Sequence, residues 1–207
     1  KDRSKIRSIS YLYPDARMAR RELLGKDDGE EGRAFSRQLI ENFGKAKYKV
    51  SQIASRIYIG IDTDGCGNDS SETAIISLLK LEHADPKIVI LGLDSEGTVD
   101  LKRLNKMLLT HVETLKMQSF YRRDTTKIVI MAEAYAQNTF YIAEVFEGLE
   151  NVEICYTKKR KKLIPGMNTT NDVKVCGIGS IRKYLRKDNL FFSSTFFTGR
   201  FEQLQED

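Results

Sequence analysis

Two carboxylates stand where apolar segments end: Asp62 closes the run RIYIGID, and Glu133 follows KIVIMA. A bare charge at the tip of a buried strand is costly unless a cation or a solvated turn meets it. Each has an ordinary structural explanation when taken alone. A strand-end Asp commonly sits in a solvated turn, and a Glu opening a helix is favoured by the helix dipole. Held close together, two like charges repel and raise one pKa unless a cation lies between them. Hard oxygen ligands suit Mg²⁺ or Mn²⁺. Two such ions can activate a water, clamp a phosphodiester and stabilise the leaving oxygen, which is metal-assisted phosphodiester hydrolysis.

Composition leaves little material for other chemistries. His83 and His111 are the only histidines, too few for a His-based metal site or a Ser-His-Asp triad to be the first reading. Cys66, Cys155 and Cys176 are widely spaced, odd in number and without CxxC pairing, so they read as free thiols of a reducing compartment. The 207 residues suit one domain, or one domain with an extension, and 34 Lys and Arg against 29 Asp and Glu give a formal net charge of +5. An excess that small argues for a polyanionic partner only where it clusters. No long apolar run or signal-peptide pattern occurs, which predicts a soluble, intracellular chain with no membrane partner.

The elements that must position the two acids follow from periodicity. Residues 1–50 are charged and turn-rich, with helical patterns at RMARRELLG and RAFSRQLIENF, and read as an approach segment. Strands are predicted at Ile57 to Asp62, Thr73 to Leu81 and Lys87 to Leu93, forming a meander. Leu101, Leu104, Leu108, Val112 and Leu115 recur at helical spacing within Thr98 to Tyr121, predicting an amphipathic helix over the sheet. Lys127 to Met131 is a buried strand by its apolar run. A helix through Leu149 should follow, with Ile142, Phe146 and Leu149 facing inward, and then a strand from Val152 to Tyr156. The segment KKRKKLIPGMNTTND reads as a basic loop before a helix from about Asp172 to Lys187, which Thr169, Thr170, Asn171 or Asp172 could cap. A short run, LFF, comes last. Three strands, helix, strand, helix, strand, helix is the succession of the ribonuclease H-like fold, an α/β mixed sheet with helices on both faces.

Against that frame the motifs resemble a family. IYIGIDTDGCGNDSSETAII looks like the first nuclease motif of terminase large subunits, the DNA-packaging motors of herpesviruses and tailed phages, and IVIMAEAYAQ resembles their second. PGMNTTNDVKVCGIGSIRKYLRKDNLFF is similar to a later segment of the family, and ARRELLG to the segment leading out of the motor domain. The Asp62 to Thr73 spacing looks closer to the herpesvirus pattern. The resemblance implies a nuclease domain at 51–207, preceded at 1–50 by a linker from an ATPase motor. It implies a two-metal endonuclease that uses Mg²⁺ or Mn²⁺, held by Asp62 and Glu133, to cut concatemeric viral double-stranded DNA. Other terminase subunits and the portal would be partners, in the host interior and, if herpesvirus-like, the nucleus.

The family's third acidic ligand comes from an Asp-Asp-aliphatic helix near the C-terminus, and its counterpart here stays open between Asp207, Asp172 and a residue beyond the chain. Asp64, Asp69 and Glu72 are accessory candidates, or else solvated turn residues. No GxxxxGK[ST] occurs, and GIGSIRK at 177–183 has the wrong spacing, so the chain should not hydrolyse ATP by itself. Lys158, Lys159, Arg160, Lys161 and Lys162 form the densest basic run, with Arg122 and Arg123 a smaller one. Such a run is either a solvated loop or localisation signal, or a set of phosphate contacts that position DNA without reading sequence. The alternatives in function are another ribonuclease H-like nuclease, a resolvase or an RNA–DNA hybrid nuclease, and a DNA- or partner-binding module active only in the assembled motor.

Overall fold

A computed structural model describes residues 42, 43, 45, 47–63, 72–81, 86–97, 99–133, 137–159 and 162–198. They fall in two compact units, one holding Lys47–Asn168 and the strand segment from Phe192 onward, the other holding the helix within Thr169–Phe191.

The first unit is built on a seven-stranded mixed sheet of order β1-β9-β4-β3-β2-β5-β6. Its strands are β1 (Lys47–Tyr48), β2 (Arg56–Asp62), β3 (Thr73–Leu81), β4 (Lys87–Glu96), β5 (Lys127–Ala132), β6 (Val152–Ile154) and β9 (Leu190–Thr198). β2, β3 and β4 form the antiparallel meander, while β5 and then β6 add to β2 in parallel. Parallel neighbours need a crossover, and the helices α1 (Leu101–Lys116) and α2 (Gln137–Phe146) lie in the connections that lead into β5 and β6.

Period-2 alternation decides which face is buried. Ile57, Ile59 and Ile61 of β2 and Ile128, Ile130 and Ala132 of β5 are buried, whereas Tyr58, Gly60, Val129 and Met131 between them are half-buried. The buried face joins Leu104, Leu108, Val112 and Leu115 of α1 and Ile142 and Phe146 of α2 in one apolar cluster. α1 starts where Asp100 Oδ1 accepts the Arg103 backbone N–H at 2.6 Å, an N-cap that satisfies one otherwise orphaned donor.

Several expectations need correcting. α2 ends at Phe146 rather than reaching Leu149: Gly148, at φ 81°, turns the chain, and Leu149 is exposed instead of facing the core. The strand expected at Val152 to Tyr156 divides at Cys155, with β6 staying in the sheet and the chain then leaving it. The basic loop is a separate two-stranded antiparallel ribbon, β7 (Tyr156–Lys159) with β8 (Lys162–Pro165). The short LFF run is a nine-residue strand, β9, because apolar residues recur through Phe197 and that ring packs over Gly92 of β4. β1 pairs in parallel with β9, and Val50 is buried. The rest of the 1–50 segment lies almost wholly outside the described residues.

In the second unit, α3 (Asn171–Arg186) is capped by Thr170, whose Oγ1 accepts the Val173 N–H at 3.3 Å. Of the four capping residues read from sequence, Thr170 takes the role. Asp172 is an exposed first-turn acid, favourable there by its interaction with the helix dipole. No helix among the described residues is long and apolar enough to cross a membrane.

Candidate active site

The parallel pair β2–β5 fixes the relationship of the two acids. Ile61 and Ala132 are register partners, so the next residue on each strand is a carboxylate, Asp62 on one and Glu133 on the other. Residues at successive strand positions point to opposite faces. With Ile61 and Ala132 in the core, Asp62 and Glu133 leave the strand ends on the other face, where Asp62 is exposed and Glu133 half-buried. Adjacent strands lie about 4.8 Å apart, which is close enough for two carboxylates to share one cation.

Glu133 is held more tightly than a strand-end residue needs to be. It forms an isolated parallel bridge with Met167, and the Met167 N–H donates to the Ala132 carbonyl at 2.7 Å. The Thr139 hydroxyl, almost fully buried, donates to the Glu133 carbonyl at 2.7 Å and so ties the start of α2 to the same point. Gly166 makes the approach of Met167 possible: it sits at φ 98°, a conformation that glycine adopts without steric penalty. Its N–H donates to the Cys155 carbonyl at 2.7 Å, and the Cys155 N–H donates to Ile130 at 2.8 Å. The chain on either side of the ribbon is therefore bonded to β5 beside Glu133.

Asp62 and Glu133 offer oxygen donors. These fit a hard divalent cation in ligand type, and the two acids are the residues that would hold one. Among the described residues no group of three or more His, Cys, Asp or Glu is arranged to hold a metal. Glu72 is exposed and precedes β3, whose Ala74 is the register partner of Asp62. Asp64, Asp69 and Asp207 lie outside the described residues, and Asp172 belongs to the other unit.

The described residues of the basic run lie on the two strands of the ribbon. Lys158 and Lys162 are exposed, Lys159 is the last residue of β7, and Arg160 and Lys161 lie outside the described residues. The register pairs Lys158 with Leu163 and Lys159 with Lys162. Of the smaller basic pair, Arg123 donates from Nε to Glu150 at 2.8 Å and also from Nη2. The hydrogen bond to that guanidinium holds the Glu150 carboxyl below its usual range, so this arginine is paired with an exposed carboxylate.

Sequence reasoning passed over a buried polar pair. His111 Nδ1 and Asp94 Oδ2 are 2.6 Å apart with side chains 0% and 4% exposed, and the imidazole lies 4.8 Å from the Phe197 ring at 57°. The signal available was weak, an Asp near the end of an apolar strand and a His on the apolar side of a helix.

No protein-family model matches the chain, and no curated protein matches it by sequence. Solved structures do. The human cytomegalovirus terminase nuclease domain, soaked with Mn, superposes with a TM-score of 0.63 at 13% identity over 83% of this chain and 79% of that one. A second structure of that domain gives 0.60 at 13% identity, over 84% and 83%. The chain has the fold of a terminase nuclease domain. At that identity the likeness is one of architecture, and it agrees with the α/β mixed sheet expected from the order of elements.

Proposed function

We propose that this domain hydrolyses phosphodiester bonds of double-stranded DNA as the nuclease of a viral packaging terminase, cutting concatemeric genomes. One observation carries the reading: Asp62 and Glu133 each follow the register pair Ile61–Ala132 at the ends of adjacent parallel strands, in a fold shared with terminase nuclease domains. A divalent cation bound there, Mg²⁺ or Mn²⁺, would supply water activation and charge stabilisation at the phosphate. The Mn-soaked state of the cytomegalovirus domain supports that choice of ion. Asp62 and Glu133 orient the ions, and the exposed Lys158 and Lys162 hold the DNA backbone by charge, without base readout. Portal and further terminase subunits are the partners that this role requires.

The test is plasmid cleavage by purified protein in Mn²⁺. Nicked and linear products are expected, and Asp62→Ala or Glu133→Ala should remove them while circular dichroism stays unchanged. Cleavage by the double variant at the wild-type rate would end the proposal. Preference for an RNA–DNA hybrid or a four-way junction over plain duplex would instead place the domain with other ribonuclease H-like nucleases.

A further inference from the structure

The ribbon β7–β8 presents more than charge. In an antiparallel pair, register partners share a face, so Tyr156 with Pro165 and Lys158 with Leu163 lie on one side, and Thr157 with Ile164 on the other. Ile164 and Thr157 are half-buried, and β8 lies against α2. Pro165 is buried at the foot of the first side, and the rest of that side is open: Leu163 is 69% exposed and Tyr156 49% exposed, with the exposed Lys158 next to them. A single exposed leucine needs no explanation. A leucine and a tyrosine beside Lys158, with the exposed Lys162 next to Leu163 in the chain, form an apolar surface flanked by cations.

We propose that this ribbon enters the major groove of duplex DNA, with Leu163 touching base edges and the flanking lysines touching phosphates. The inference rests on the nuclease reading and goes beyond it by assigning a base-contacting residue. Shape selects the groove. Four residues per strand at about 3.4 Å each give a reach of roughly 13 Å. The major groove, about 12 Å wide and 8.5 Å deep, admits a two-stranded ribbon, whereas the minor groove is only about 6 Å wide. Chemistry selects the contact. The apolar group that the major groove displays is the thymine methyl, the natural partner of an exposed leucine. The site is coupled to the acids through the base of the ribbon, where the Cys155 and Met167 N–H groups donate to Ile130 and Ala132 of the strand that delivers Glu133. A ribbon seated in the groove therefore fixes which phosphates lie near the two carboxylates.

The experiment is fluorescence anisotropy of the 207-residue chain with a labelled thymine-rich duplex in EDTA, where no hydrolysis occurs. Leu163→Ser should weaken binding about tenfold with the salt dependence unchanged, and Leu163→Met should restore it. Replacing thymine by uracil, which removes only the methyl groups, should weaken wild-type binding similarly and leave Leu163→Ser unaffected. Wild-type affinity in Leu163→Ser, equal wild-type affinity for the thymine and uracil duplexes, or no duplex binding at all would each overturn the proposal. The two readings separate cleanly. Discriminating binding without Mn²⁺-dependent cleavage removes the nuclease reading alone, and cleavage by a protein indifferent to Leu163→Ser removes this one alone.

Discussion

Asp62 and Glu133 each stand one residue beyond the register pair Ile61–Ala132 on adjacent parallel strands. Two carboxylates so placed favour a bound cation, since it offsets their mutual repulsion. Mn²⁺ should therefore stabilise the folded state in proportion to its occupancy. At a concentration one hundred times the dissociation constant the gain is about 2.7 kcal/mol, readable as a rise in Tm. Asp62→Asn or Glu133→Gln should abolish most of that rise. A rise of wild-type size in both variants would show that the metal binds elsewhere.

Lys158 and Lys162 are exposed on the ribbon, where a cation facing a phosphate releases a condensed counterion. Each such contact contributes about 0.9 to the slope of log affinity against log salt. Lys158→Gln with Lys162→Gln should thus lower that slope by about 2 and weaken binding to all duplex sequences alike. An unchanged slope in the double variant would mark both lysines as merely solvated.

Asp94 and His111 form a polar pair within an apolar core, at 4% and 0% side-chain exposure. Removing one partner leaves the other desolvated with nothing to replace water. Asp94→Ala should cost about 3 kcal/mol, appearing as a lower urea midpoint. The volume of a carboxylate lost from a surface site would cost far less, so a shift below about 0.5 kcal/mol would contradict the burial.

How much of this was legible in the sequence depended on whether side-chain pattern or backbone context set the outcome. β3 was readable to the residue, Thr73 to Leu81, because a largely apolar run is bounded in sequence by Glu72 and Glu82. α1 was readable from Leu104, Leu108, Val112 and Leu115, all buried as their spacing requires. The strand positions of Asp62 and Glu133 followed from the same logic, and their adjacency from fold order. The ribbon was hidden because five consecutive cations erase period-2 contrast and lysine favours strands little, so tertiary anchoring of Cys155 and Met167 decides the pairing. His111 was hidden because a histidine on a buried helix face is acceptable only once its partner is known. That partner, Asp94, lies seventeen residues away on another element.

Gly166 and Gly148 offer a controlled comparison of strain with position. Both have positive φ, 98° and 81°, so an alanine at either costs on the order of 1–2 kcal/mol through the same clash of Cβ with the backbone. Gly148 lies in the turn after α2, where an added Cβ would meet nothing within 4 Å. Gly166 is buried at the foot of the ribbon; its N–H donates to Cys155 and its carbonyl accepts the Thr157 hydroxyl at 2.8 Å. Relaxing its backbone toward negative φ would swing Met167 away from Ala132 and loosen the bridge to Glu133. Gly166→Ala should therefore reduce Mn²⁺-dependent cleavage at least tenfold, while Gly148→Ala, equally strained, should reduce it less than twofold at a temperature where both are folded; a 1 Å displacement of a reacting group is enough for losses of that order. Equal activity in the two variants would show that the foot of the ribbon has no part in placing Glu133.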